Sequence, residues 1–210
     1  MLDDADVGGE VHRSKHLYMF SLHPPVTPVP AHPPPSEVEM RWLSAAEWQR
    51  CPSLLPKPEE VVRERYADGG RCLVMQRRDG GELVYQVWVS PSAVWTDWIG
   101  GPVTPPDGHG IVFDLWAHPA WRRGRLHLPG GAAVIRLHVD LGLHGLVAGV
   151  EEHEIVPYAR MYARAGLGWV VPYEVVVWHR DGPRSWHDTR QPEAHLVESC
   201  EQIRRRYEEP

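Results

Sequence analysis

Cysteine is scarce in this chain and lysine nearly absent. The three cysteines, Cys51, Cys72 and Cys200, are widely spaced, odd in number and form no C-x-x-C pair, so neither a disulfide framework nor a zinc knuckle is indicated. Reduced, buried thiols are expected. Lys15 and Lys57 are the only lysines, a bias to which no function is attached. No stretch reaches the roughly 18 apolar residues of a membrane-crossing helix. The opening "MLDDADVGGE" is acidic where a secretory signal is basic and then apolar. A soluble, cytoplasmic protein without a membrane partner is expected. Excess positive charge is also missing: a net charge of −6 argues against general nucleic-acid binding, whose affinity comes from a basic face neutralising phosphates.

What is present suffices for one core with extensions: 210 residues, 42% of them hydrophobic. The sequence divides into an N-terminal extension and Pro-rich linker over 1–35, a domain over 36–180, and a C-terminal tail and helix over 181–210. In the first part "HLYMFSL" (16–22) reads as an extra edge strand, and "HPPVTPVPAHPPP" (23–35) as linker, because proline removes backbone donors and favours extended chain.

From Ser36 the pattern is regular. "EVEMRWLS" alternates as a strand, and Ser44 to Glu47 forms a capping box opening a short helix. "PKPEEVVRERYADGG" has the proline-first, glycine-last asymmetry of a helix, and "RCLVMQRRDGGELVYQVWVS" reads as a hairpin about Asp79-Gly80-Gly81. A long turn-rich loop, 91–110, carries Trp95 and Trp98; loops of that length are often functional. Then come the strand "IVFDLWAH", the helix "AAVIRLHVDLGL", the strand "GLVAGVEE", the helix "PYARMYARAG" and the strand "WVVPYEVVVWHR". Strands alternating with helices imply an α/β or α+β layer with at least one parallel crossover. Near the C-terminus Leu196, Cys200, Ile203 and Tyr207 form one stripe of a terminal helix.

Between the strand ending near His118 and the following helix lies "WAHPAWRRGRLHLPGG", with Arg122, Arg123 and Arg125 around a glycine-ended turn. Free amides at a helix start, glycines that admit close approach and guanidinium groups together suit an anion. The "EEHE" run does not suggest a metal, since adjacent positions at a strand end diverge, and no metal is expected.

The order of elements and three motifs resemble the Gcn-five-related N-acetyltransferase (GNAT) superfamily over roughly 37–178. "LWAHPAWRRGRL" resembles the family's V-x-P-x-[YW]-R-G-x-G-[IL]; the helix "AAVIRLHVDLGLHG" has the usual length; and "VPYARMYARAGLGWV" is similar to A-x-x-L-Y-x-x-x-G-F. The resemblance implies an α/β (α+β) fold with a mixed, mostly antiparallel sheet, a splayed strand pair and flanking helices. It also implies acyl transfer from acetyl-CoA, or another acyl-CoA, to an amine, with a small-molecule amine as partner. The strand end Leu115, Trp116 and Ala117 would border the pantetheine arm. Arg122, Arg123, Gly124, Arg125, Gly130 and Gly131 would cradle the pyrophosphate, and Tyr162 would protonate the departing sulfur. Asp114, His118 and Glu152 are candidate acid-base groups, with strand alternation placing Asp114, Trp116 and His118 on one face. Trp88, Trp95 and Trp98 are candidates for the acceptor side.

The family's loop, [RQ]-x-x-G-x-[GA], has no clean register here. Starting at Arg122, its small positions fall on Arg125 and His127; starting at Arg125, on Leu128 and Gly130. The alternative function is therefore a non-catalytic GNAT-fold binding or scaffolding protein with a degenerate CoA loop. A homodimer is carried as an expectation that nothing in the sequence requires.

Overall fold

Apolar residues run almost unbroken through the central strands and recur near period 3.6 in the helices, and the chain buries both patterns in one large sheet and the helices on its faces. The computed structural model describes residues 13–24, 28–50, 55, 57–96, 101–122, 126–181 and 184–208. In chain order the elements are β1 (Arg13–His23), β2 (Val38–Leu43), α1 (Ala45–Arg50), α2 (Glu59–Ala67), β3 (Arg71–Arg77), β4 (Leu83–Ser90), β5 (Val94–Thr96), β6 (Gly101–Val103), β7 (His109–Ala117), α3 (His127–Asp140), β8 (Gly145–Val150), α4 (Glu152–Arg164), β9 (Trp169–Asp181), β10 (Arg184–Arg190) and α5 (Ala194–Glu208). Eight strands form one sheet in the order β10-β9-β1-β8-β7-β4-β3-β2, and β5 and β6 form a separate hairpin. Every pairing in the large sheet is antiparallel except β7 with β8. The expected mixed, mostly antiparallel α+β fold is what the chain adopts.

The two sheet faces carry different helices. Tyr18, Phe20, Leu22, Leu73, Met75, Tyr85 and Val87 join α3, α4 and α5 residues in the main core. On the other face Trp48 of α1 and Val62 of α2 pack with Cys72, Val74, Trp88, Ile111 and Phe113. Alternation along β3 and β4 sends successive side chains to these two cores. Among the described residues no helix is long and apolar enough to cross a membrane.

The structure corrects the placement of β1. Instead of an edge, it lies inside the sheet between β8 and β9, paired with β9 over eleven positions from Arg13–Arg180 to His23–Trp169. The cause is legible afterwards: Tyr18, Phe20 and Leu22 enter the main core, while Leu17 and Met19 bury on the opposite face with Val147 and Val176. A strand buried on both faces reads as a continuous apolar run rather than an alternating one. Residues 13–23 and 184–190, expected in an extension and a tail, are thus strands of the same sheet as the segment 36–180.

Locally, several sequence signals hold. Ser44 and Glu47 form the capping box, with Glu47 N–H donating to Ser44 Oγ (3.2 Å) and Ser44 N–H to Glu47 Oε2 (2.9 Å). The helix expected from Pro157 starts five residues earlier. A second capping box, between Glu151 and Glu154, opens α4 at Glu152 and leaves Pro157 inside the helix. Likewise α3 starts at His127 rather than after Gly131. Cys72 and Cys200 are free and buried, as expected; Cys51 lies outside the described residues.

Candidate active site

The parallel pair β7 and β8 is hydrogen-bonded only from His109–Gly145 to Ile111–Val147. Beyond Ile111 the strands diverge, and a cleft of about 410 Å³ opens between them. One wall is β7 from Ile111 to Leu115; the other includes Leu146 and Ala148 to Val150 of β8. It is bounded on one face of the sheet by Lys57, Arg65, Trp95 and Val103, and on the other by His127, Gly131, Tyr158 and Tyr162. A crossover that is parallel at its base and unpaired above it leaves a slot for an extended ligand.

A bulge in β7 sharpens the divergence. Gln86 pairs with Trp116 and Trp88 with Phe113, so Asp114 and Leu115 together oppose Val87. Asp114 has a φ of +51°, a left-handed conformation costing about 1 kcal/mol for a residue with a Cβ. Its carboxylate compensates: Oδ2 accepts from Arg65 Nη1 at 2.7 Å, and Oδ1 lies 3.3 Å from Lys57 Nζ. The Arg65 guanidinium in turn stands over the rings of Trp88 (5.2 Å) and Phe113 (4.9 Å). Extra residues of this kind re-aim strand side chains beside active sites.

The opposite wall is aromatic. Tyr162 is buried, with its hydroxyl 3.3 Å from His127 Nε2. The His127 ring meets Tyr158 edge-on at 5.0 Å, and Tyr158 stacks on Tyr162 at 6.2 Å. Burial pushes His127 down to about 4, so the imidazole is neutral at pH 7, and burial pushes the Tyr162 phenol upward. Two glycines make room for tyrosine rings. A Cβ on Gly131 would stand 3.1 Å from Tyr162 Oη, and one on Gly130 2.6 Å from Tyr85 Oη. Helix α3 begins without a side-chain cap at Leu126, so among the described residues no capping side chain serves its first amides, at His127 and Leu128.

The same fold recurs in solved structures. A GCN5-related N-acetyltransferase from Sphaerobacter thermophilus superposes with a TM-score of 0.54 at 16% identity, over 88% of this chain and 53% of that one. The chain has the GNAT fold. A Drosophila protein superposes with a TM-score of 0.50 at 21% identity, covering 82% of this chain and 52% of the other. The chain spans about half the length of each. No family model matches the chain, and no curated protein matches it.

On this GNAT fold the residues singled out in the sequence separate into groups. Asp114, Leu115, Gly131, Tyr162 and Trp95 line the cleft. Trp95 is 61% exposed at its mouth. Arg123, Gly124, Arg125 and Trp98 lie outside the described residues. Arg122 is exposed and its Nε donates to the Ala117 carbonyl at 3.0 Å.

Other expectations are corrected. Trp88 is fully buried in the α1–α2 core, beneath Arg65, and is a packing residue. Gly130 and Gly131 lie within α3 against tyrosine rings, not in an open turn. Trp116 and His118 do not share the cleft with Asp114, because the bulge breaks the alternation; their rings meet each other at 6.2 Å. His118 Nδ1 accepts from Ala120 N–H (3.3 Å) and caps a short 3-10 turn. Glu152 faces a different hollow, where the Tyr18 hydroxyl lies 3.1 Å from carboxylate oxygens of both Glu152 and Glu193.

The residues sequence reasoning missed are Lys57, Arg65, Glu154, His127, Leu17 and Met19, all of which line the cleft. His127 carried a signal as a departure from the loop pattern, and Glu154 lies in the "EEHE" run, but neither pointed to the cleft. The others became visible only with the pairing of distant segments.

Proposed function

We propose that the chain is an N-acyltransferase that moves an acetyl or other acyl group from a CoA thioester to the amine of a small molecule. The observation that carries this is the slot between β7 and β8, open to both faces of the sheet, with the Tyr162 phenol on its wall. The donor's pantetheine arm would lie along the strand end of Leu115, Trp116 and Ala117, where unpaired strand edge offers backbone partners. Its phosphates would meet Arg122, Arg123, Gly124 and Arg125 and the first amides of α3, where the helix dipole favours negative charge. Gly130 and Gly131 lie within α3, where the missing Cβ makes room for Tyr85 and Tyr162, so they are given no phosphate role. Among the proposed acid-base groups Asp114 alone faces the cleft with Tyr162. Both of its oxygens are held by cations, which suits it to fixing the bulge rather than to taking a proton. Trp95 and Trp98 would border the acceptor.

Acyl transfer breaks a carbon–sulfur bond, and the leaving thiolate needs a proton. Tyr162 supplies it. The test is an assay with acetyl-CoA and a panel of aryl, alkyl and sugar amines, read by thiol release and the mass of the N-acetyl product. Tyr162→Phe is expected to lower kcat about 100-fold with little change in KM for acetyl-CoA. Wild-type turnover in that variant would leave Tyr162 a packing residue, and no product from the native protein with any amine would contradict the proposed reaction.

One observation favours the alternative of a non-catalytic scaffold. With the loop pattern counted from Arg122, His127 occupies its second small-residue position and puts a ring into the cleft. A scaffold would bind neither CoA nor acetyl-CoA.

A further inference from the structure

The ring that departs from the loop pattern is also the hydrogen-bond partner of the proposed acid. His127 is the first residue of α3, and its ring crosses to α4 through three contacts: edge-on to Tyr158 (5.0 Å), edge-on to Tyr162 (6.0 Å), and Nε2 to Tyr162 Oη (3.3 Å). The stacked pair of Tyr158 and Tyr162, inclined by 19°, holds the phenol from the other side. The absent side chain of Gly131 lets the hydroxyl sit against α3. Contacts with His127, Tyr158 and the backbone of α3 therefore hold the phenol at the cleft wall.

A neutral imidazole carries one ring proton, and its place decides what Tyr162 can do. If Nε2 is bare, the hydroxyl proton is spent on the imidazole. If Nε2 bears the proton, it donates to the phenol oxygen and leaves the hydroxyl proton for the cleft. We propose that His127 is a positioning residue for Tyr162: its Nε2–H holds the phenol oxygen, aims the hydroxyl proton at the thioester sulfur and steadies the phenolate left behind. The proposal rests on the acyltransferase function above.

The step balances without a further reactant. The amine nitrogen bonds to the carbonyl carbon, the carbon–sulfur bond breaks, and the sulfur takes the Tyr162 proton. The proton released by the nitrogen goes to solvent, from which the phenolate is reprotonated. The imidazole ends with the proton it began with. Burial makes Tyr162 a reluctant acid, and a donor at the developing oxyanion opposes that effect most as charge forms.

The test is a double-mutant cycle on the native chain, assayed with acetyl-CoA and whichever amine of the panel turns over fastest. His127→Phe keeps a ring against Tyr158 and removes the donor; it is expected to lower kcat by about tenfold to a hundredfold with KM for acetyl-CoA within about twofold. His127→Phe combined with Tyr162→Phe is expected to be no slower than Tyr162→Phe alone, within about twofold, because the two residues act as one unit. His127→Gln, which retains a donor, is expected to recover most of the rate. Independently of turnover, long-range nitrogen–proton NMR of the native protein, assigned with His127→Phe, is expected to place the His127 proton on Nε2. Multiplicative losses in the cycle, or a proton on Nδ1, would overturn the role of His127 while leaving the acyltransferase function in place. A native protein that acetylates no amine overturns both.

Discussion

Gly168→Ala is expected to cost about 4 kcal/mol or more, at the extreme of single substitutions, and to lower Tm by about 10 °C in a chain of this size. Two effects coincide at this position. Its φ of +115° lies in a region a side chain rarely adopts, and a Cβ there would stand 1.9 Å from the His23 carbonyl oxygen and 2.9 Å from its carbon. Neither neighbour is the end of a flexible side chain. Gly168 precedes Trp169, whose pairing with His23 is the last rung of the β1–β9 ladder. The methyl group therefore forces apart the two strands that tie the N-terminal segment into the sheet.

Gly142→Ala provides the contrast. That glycine also has a positive φ, +67°, but a Cβ on it meets nothing within 4 Å. It is expected to cost only about 1 kcal/mol, the price of the left-handed backbone alone. Thermal melts of the two variants side by side separate strain from collision. Equal shifts would mean that β1 is not clamped against β9 as described.

Acid is expected to destabilise the protein steeply between pH 6.5 and 4. His127 and His138 are both pushed down to about 4, by burial first; at His138 the neighbouring His109, His144 and His23 add to it. His138 is fully buried, and neither ring nitrogen has a hydrogen-bond partner among the described residues. Well above pH 6.5 both histidines are neutral in the folded and unfolded chain, and they contribute no pH dependence. Between 6.5 and 4 the unfolded chain binds protons that the folded chain refuses, so stability falls as pH falls. Each shift is worth about 3 kcal/mol once the pH is below 4.

His138→Leu removes one of the two. It is expected to raise stability relative to the native chain by about 2 kcal/mol at pH 5, and not to lower it at pH 8, since no hydrogen bond is lost. Denaturant unfolding at the two pH values gives the comparison. A variant equally destabilised at both would show that the imidazole has a structural partner.

These expectations depend on features of unequal visibility in the sequence. The β7–α3–β8 crossover and the tyrosine of α4 were legible, because each rests on a pattern within a dozen residues: an apolar strand, a glycine-bounded helix, Tyr162 four residues before Gly166. The capping box at Ser44 and the stripe of α5 were legible for the same reason.

What was hidden depends on distant pairing. "HLYMFSL" announces a strand, but its neighbours β8 and β9 lie more than a hundred residues away, and nothing local separates an edge from an interior position. The polar β10 carries no apolar alternation at all; it forms because the long β9 offers an edge. The bulge could not be read because an aspartate within a strand gives no sign of a left-handed backbone. That conformation depends on Arg65 and Lys57, brought from α2 and the segment before it. Nor could His127 be assigned, since its partner is 35 residues away on another helix. Glycine was misleading in the opposite sense. Gly130 and Gly131 suggest close approach by a ligand, whereas the close approach is by Tyr85 and Tyr162.

Isothermal titration of the purified chain with CoA and with acetyl-CoA probes the slot between β7 and β8 most directly. Saturable one-to-one binding with a Kd of about 1–100 μM is expected, in the usual range for enzyme substrates, weakened about tenfold or more when Arg122→Ala and Arg125→Ala remove two of the proposed phosphate partners. Absence of binding heat for either ligand at millimolar concentration, from protein shown to be folded, would contradict the assignment of the slot to a CoA thioester.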